Sequence, residues 1–370
     1  MRTLAPDERM ALENAFARLL ADHSSETHVR NTMETPAGYD LALWQLLAEM
    51  GITGLLVDER FGGAGAGPIE IERVMEQAGA ALLCSPLLAS SILAASVVGA
   101  CGDTEAQARL LPEIANGERI TTIAITGDSG SWTPAGVEVS ASLQDDNWSL
   151  NGVASYVLHA DNARLLLVVA NTANGQSLFE VEPRAAGVSL NTLPTFDHTL
   201  RMSRIEFSGT AGRIIGAADR AWPAVEAGLN VARVALAGEQ AGGARKTLAF
   251  TVEYAKTRVQ FGRAIGSFQA IKHMAADLLL ESESAISAAR HAADALASNA
   301  HDADAVISLA AFACAEAFST VTATAVQMHG GIAFTWEHPA HLYLRRARAA
   351  AQLFGTPSFY RERYIQQIGG

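Results

Sequence analysis

The chain has 370 residues, 49% hydrophobic and 18% charged, with a formal net charge of −12 at pH 7. That length can bury a large core and divide into two or three domains. The acidic balance excludes an ordinary nucleic-acid binder, because phosphate contacts need a basic surface. Cys84, Cys101 and Cys314 form no CxxC pair and no zinc or disulfide framework, so a reducing cytoplasm and no metal are expected. The N-terminal stretch has early acids and no apolar run ending at small residues, so no secretory signal is expected.

Residues 1–118 read as an all-helical domain. Leu43, Leu46 and Leu47 share a face ahead of Gly51, and Ile69, Val74 and Met75 open another helix. The glycine-rich residues 62–67 between them miss the GxGxxG spacing, because Pro68 stands at the final glycine position. They are a loop. Residues 81–100 carry no charge and have the length of a membrane span. Pro86, the serines and the lack of flanking Lys or Arg point instead to helices buried in the domain.

Residues 119–220 change to period two and turn chemistry. Val137, Val139 and Ala141 alternate with polar residues, residues 145–147 and Asn151-Gly152 are turn signals, and residues 165–170 and 177–181 read as strands. Strands this close, without helices between them, imply an antiparallel sheet or small barrel. Residues 221–370 are helical again, with Pro223 at the start and four long patterns and a shorter tail that suggest a four-helix bundle. His291, His301, Asp302 and Asp304 lack metal-ligand spacing. Arg345, Arg346 and Arg348 suit either a phosphate or a helix end.

The organising stretch is residues 253–273, EYAKTRVQFGRAIGSFQAIKH. Val225, Leu229, Ala232 and Leu236, then Leu248, Val252 and Ala255, mark one face of the helix leading into it. Gly262 and Gly266 break that helix, and Ser267 offers an N-cap for the next, from Phe268 to about residue 297. The tip presents Arg258, Gln260, Phe261 and Arg263. A guanidinium beside an aromatic face suits an anionic nucleotide; the same residues also suit a helix-end cap and a core aromatic.

Three separated segments carry a family resemblance. RVQFGRAIGSFQAIKH, from Arg258, resembles the acyl-CoA dehydrogenase segment in which Arg, Phe-Gly and Phe-Gln precede a long helix. LLAEMGITGLLVDERFGGAG, from Leu46, resembles that family's N-terminal signature, and QMHGGIAF, from Gln327, its Gln followed by Gly-Gly. The resemblance implies an α+β fold in the order helical, β, helical, with FAD as cofactor and an acyl-CoA as substrate. It also implies a glycine-rich loop near the substrate channel and an electron-transfer flavoprotein as a possible acceptor. Arg258, Phe261, Gln269, Gln327, Gly330 and Gly331, with Gln260 beside them, match positions that in the family reach across a subunit interface to a neighbour's FAD.

The family's reaction removes an α proton with a glutamate while flavin takes the β hydrogen, and a thioester α proton needs such a positioned base. Neither family position for it holds a carboxylate here. Phe354 precedes Gly355-Thr356 in one, and Ala232 precedes Arg233 in the other. Glu239, seven residues and about 10 Å further along the helix, is the remaining candidate, with a structural acid as its other reading. Thr126-Gly127-Asp128 replaces the family's Thr-Glu-Pro, and Tyr156-Val157-Leu158 its Trp-Ile-Thr beside the flavin. The expectation is a non-catalytic subunit resembling the short chains of bacterial α2β2 dehydrogenases for bulky CoA esters such as steroid side chains. Alternatives are a homotetramer using Glu239 or another base, and a flavin-free scaffold.

Overall fold

Residues 3–369 are described in the computed structural model; residues 1–2 and 370, the outermost positions of the first and third expected segments, lie outside the described residues. The first helices are α1 (Pro6–His23), α2 (Glu26–Glu34), α3 (Leu41–Glu49), α4 (Pro68–Ala80), α5 (Ala95–Ala100) and α6 (Thr104–Ala115). Asp40 and Asp103 start α3 and α6 by accepting two backbone N–H groups each, so the acids at these positions define the helix ends. The uncharged stretch becomes a π-helical segment, Leu88–Ala94, running into α5. Its Leu88, Ile92, Val97 and Val98 are buried, and Leu88–Ala100 is too short to span a bilayer. The segment Ala303–Phe334 passes a length-and-hydropathy test for a span, and 61% of its apolar window is buried inside the protein.

Seven strands follow: β1 (Thr121–Ala124), β2 (Val139–Gln144), β3 (Asn147–Leu158), β4 (Leu165–Asn171), β5 (Gln176–Val181), β6 (Val188–Thr192) and β7 (Met202–Ile215). The sheet runs β1-β4-β2-β3-β7-β5, and β4 also pairs β5, which closes it on itself; β6 lies on β7. It is antiparallel except where β4 runs parallel to β1 and, at one residue pair, to β2. The β2–β3 hairpin supplies the crossover that a parallel β1–β4 pair requires. Leu150, Leu166, Val168, Phe179, Ile205 and Phe207 fill the interior.

The last third contains α7 (Trp222–Thr257), the two-residue strands β8 (Val259–Gln260) and β9 (Arg263–Ala264), α8 (Gln269–Ala297), α9 (Ala303–His329), α10 (Ala340–Ala350) and α11 (Pro357–Gly369). Among the described residues, five helices stand where four long patterns and a shorter tail were expected, the fourth being shorter than expected. The division falls at Gly330, Gly331 and Pro339, which cannot continue a helix comfortably. Ser267 is not the cap of α8. Its hydroxyl donates back to the Ala264 carbonyl at 2.7 Å inside a 3-10 turn, and Phe268 takes the cap position.

The chain forms two compact units, each discontinuous in sequence. One comprises Thr32–Gly67 and Cys84–Ala232; the other comprises Thr3–Asn31, Pro68–Leu83 and the chain from Arg233 on. In the second unit, Ala237 and Ala241 of α7 meet Ala285, Ala289 and Ala292 of α8 and Ile307, Ala310 and Cys314 of α9. Small side chains let these helices approach closely. The tightest approach is to α4, where a Cβ on Gly242 would lie 1.8 Å from the Glu76 carbonyl oxygen.

Candidate active site

In the second unit, the hairpin after α7 is closed by β8 against β9, with Val259 opposite Ala264 and Gln260 opposite Arg263. Phe261 turns the corner at φ 55° and is 91% exposed. A large apolar side chain left in water on a left-handed turn is not a core position. The Arg263 guanidinium lies over the Phe268 ring at 4.0 Å, and Phe268 meets Phe261 edge-on. Arg258 is exposed, and its guanidinium has no partner among the described residues. The helix-cap reading of Arg258 and the core reading of Phe261 therefore fall away.

Gln269 begins α8 with its side chain exposed, and Gln327 sits exposed on the last turn of α9. Gly330 follows at φ 67°, and nothing lies within 4 Å of where a Cβ would sit on Gly330 or Gly331. The turn is an open, side-chain-free edge. It is tied to the hairpin by Tyr254, one helical turn before Arg258, which stacks on His329 at 4.5 Å. His329 donates from Nδ1 to the Ala325 carbonyl at 2.8 Å and touches His338, and burial holds its pKa below the ordinary value. Tyr254 and His329 were not singled out in the sequence. Their only signal was a histidine between Gln327 and Gly330.

The positions where a base was sought hold apolar side chains. Ala232 and Phe354 are both fully buried. Phe354 has φ 61°, its carbonyl accepts from Tyr360 Oη, and Tyr360 Oη accepts from Arg233 Nε at 2.9 Å. Glu239 is buried too, and its carboxylate is paired with Arg346 Nη1 at 2.8 Å. Arg346 also donates to the Leu83 carbonyl at 3.3 Å. The three-arginine cluster is therefore divided: Arg346 is a core cation, Arg345 lies over the Trp336 ring at 5.0 Å, and Arg348 is exposed.

In the first unit, β3 carries a bulge between Ala154 and Val157, with Tyr156 at φ 58°. One extra residue reverses the alternation, so Val157 and Leu158 are both buried and Tyr156 is exposed. Nearby, Arg204 grips the Asp128 carboxylate through Nε at 2.9 Å and Nη2 at 3.0 Å, and Ser155 Oγ donates to it. These bonds hold the Asp128 pKa down to about 2. A cavity of about 580 Å³ lies in the same unit, lined by Leu56, Phe61, Ala95, Gly99, Leu111 and Val231. From the glycine-rich loop, Gly65 reaches its wall.

Residues 6–118 match the family described as acyl-CoA dehydrogenase, N-terminal domain, and residues 219–368 the acyl-CoA dehydrogenase C-terminal domain. Acyl-CoA dehydrogenase IpdE2 of Mycobacterium tuberculosis is 36% identical, over 95% of this chain and 94% of that protein. The chain belongs to the acyl-CoA dehydrogenase family. Among solved structures, a steroid ACAD described as Tcur3481-Tcur3483 superposes with a TM-score of 0.88 at 28% identity, covering 98% of each chain. The ChsE4-ChsE5 complex from Mycobacterium tuberculosis gives 0.89 at 27% identity, covering 100% of this chain and 99% of that one.

Acyl-CoA dehydrogenases are FAD-dependent oxidoreductases, and this chain fits that cofactor unevenly. An exposed guanidinium, an exposed aromatic ring and an open Gly-Gly edge suit the diphosphate and adenine of a dinucleotide. The residues on β3 and after β1 suit neither the flavin ring nor an incoming anion. Leu158 offers no hydroxyl and is buried, and the amides after Thr126 already have an acceptor, Glu138.

Proposed function

We propose that this chain is the non-catalytic subunit of a heteromeric acyl-CoA dehydrogenase. It lends Arg258, Gln260, Phe261, Gln269, Gln327, Gly330 and Gly331 to the FAD site of a homologous catalytic partner. The observation that carries the reading is that neither family base position holds a carboxylate. Ala232 and Phe354 occupy the two base positions, and the neighbouring Glu239 is committed to Arg346. The partner then supplies the base for α,β-dehydrogenation, and this chain contributes positioning and charge neutralisation. The domain boundaries at residues 118 and 220 belong to the same reading.

The substrate class we propose is a bulky, ring-bearing acyl-CoA. The support is similarity, at 28% identity, to a protein described as a steroid ACAD. The resemblance to ChsE4-ChsE5, a complex of two differently named chains, supports the heteromeric form. A cytoplasmic location and an electron-transfer flavoprotein as acceptor complete the proposal.

The test is the visible spectrum and FAD-to-chain ratio of the protein purified alone and after co-expression with a dehydrogenase-like chain encoded beside it. A colourless chain that becomes a yellow complex with one FAD per two chains is the expected result. A yellow homo-oligomer with one FAD per chain that oxidises an acyl-CoA would overturn it.

A further inference from the structure

The loop after β1 turns tightly. Gly127 donates to the Gly136 carbonyl at 2.9 Å, and Gly130 donates to the Gly127 carbonyl at 3.1 Å. Between these bonds, the consecutive N–H groups of Asp128 and Ser129 converge on one acceptor, as in the backbone nests that bind anions. The acceptor is this chain's own Glu138, the residue before β2. Its Oε2 takes the Asp128 N–H and its Oε1 the Ser129 N–H, each at 3.2 Å. Gly127 makes room for it, because a Cβ there would lie 2.1 Å from Glu138 Cδ.

The surrounding charges point the same way. Asp128 and Glu206 share the single guanidinium of Arg204. A phosphate arriving at this loop would meet three carboxylates and one cation already held by two of them. Like charges brought together at this loop repel one another.

We infer that Glu138 keeps a nucleotide diphosphate out of this chain's own loop by occupying the two amides that a phosphate oxygen would need. The inference rests on the non-catalytic reading above and adds its residue-level cause. Glu138 acts as a built-in anion that fixes the loop in a filled state, so in a mixed assembly the flavin is directed to the partner's side.

The experiment is hydrogen–deuterium exchange of the peptide containing residues 126–131 in the full-length chain, with and without inorganic pyrophosphate. It is run on the wild type, Glu138→Ala and Glu138→Gln, and on the co-expressed assembly before and after removal of FAD. In the wild type, neither pyrophosphate nor FAD should alter exchange of this peptide. In Glu138→Ala the amides should exchange about tenfold faster, as expected for loss of a charge-assisted bond, and pyrophosphate should slow them again. Glu138→Gln should fall between. Slowing of the wild-type peptide by pyrophosphate, or unchanged exchange in Glu138→Ala, overturns the inference. If Glu138→Ala does not fold, the wild-type responses to pyrophosphate and FAD decide alone. One FAD per chain would defeat the non-catalytic reading. One FAD per two chains with a wild-type loop that responds to pyrophosphate would defeat only the role of Glu138.

Discussion

Arg346 on α10 and Glu239 on α7 face each other at 2.8 Å with 2% and 5% of their surfaces exposed, so each charge is buried against the other. Removing one partner of such a pair leaves a buried charge and typically costs about 3–5 kcal/mol. Glu239→Gln is therefore expected to lower the melting temperature clearly while leaving turnover per bound FAD in the assembled enzyme unchanged. Calorimetry and single-turnover kinetics separate the two effects. Lost turnover at an unchanged melting temperature would instead make Glu239 the base.

A second buried acid gives a pH-dependent prediction. Glu72 of α4 is fully buried, and neither oxygen has a hydrogen-bond partner among the described residues; Arg73 Nε is 3.4 Å away. Burial first, and the neighbouring Glu76 second, push its pKa from 4.5 up to about 8, against the opposing pull of Arg73 and Arg290. The folded chain thus holds a proton that the unfolded chain releases from pH 4.5 upward. Stability from this group is complete below pH 4.5, falls as pH rises, and is lost above about 8. Glu72→Gln, which stays neutral, should raise the melting temperature more at pH 8 than at pH 5. An equal change at both values would contradict the assignment.

The helical–β–helical order was legible because periods of 3.6 and 2 change at the expected places, and the hairpin at Arg258 because two glycines interrupt a strong pattern. Other features depend on pairing across long sequence separations. Nothing local ties Glu239 to Arg346, and Glu138 reads simply as one polar residue in an alternating strand. The Tyr156 bulge was equally hidden. An inserted residue changes which side chains face the interior without changing composition, so Val157 and Leu158 become neighbours in burial. Ser267 was misplaced for a similar reason, since its hydroxyl had a nearer carbonyl to satisfy than the helix start.

Arg258 offers the most direct test of the lent half-site. Its guanidinium is exposed and has no partner among the described residues, so Arg258→Gln should change stability by no more than about 0.5 kcal/mol. A bidentate charge-assisted contact to phosphate is worth more than that. FAD retained by the co-expressed assembly after gel filtration should fall at least about tenfold, as a charge-assisted contact is lost. Full FAD content in this variant would remove the hairpin from the cofactor site.

Restoring a carboxylate at the vacant base positions should not restore catalysis. Phe354 lies fully buried at φ 61° with its carbonyl bonded to Tyr360, and Ala232 is fully buried on α7. A glutamate at either place enters an apolar site where burial favours its neutral form. On the non-catalytic reading it would also lack a flavin in this chain, since Glu138 already occupies the amides after β1 and Leu158 has no hydroxyl. Ala232→Glu and Phe354→Glu should give no acyl-CoA oxidation alone, and in the assembly the substrate-reducible flavin should stay at one per two chains. Anaerobic bleaching of the flavin by acyl-CoA counts those sites directly. A second bleachable FAD for each pair of chains would show that only the base had been lost, and that the rest of this chain's own site is intact.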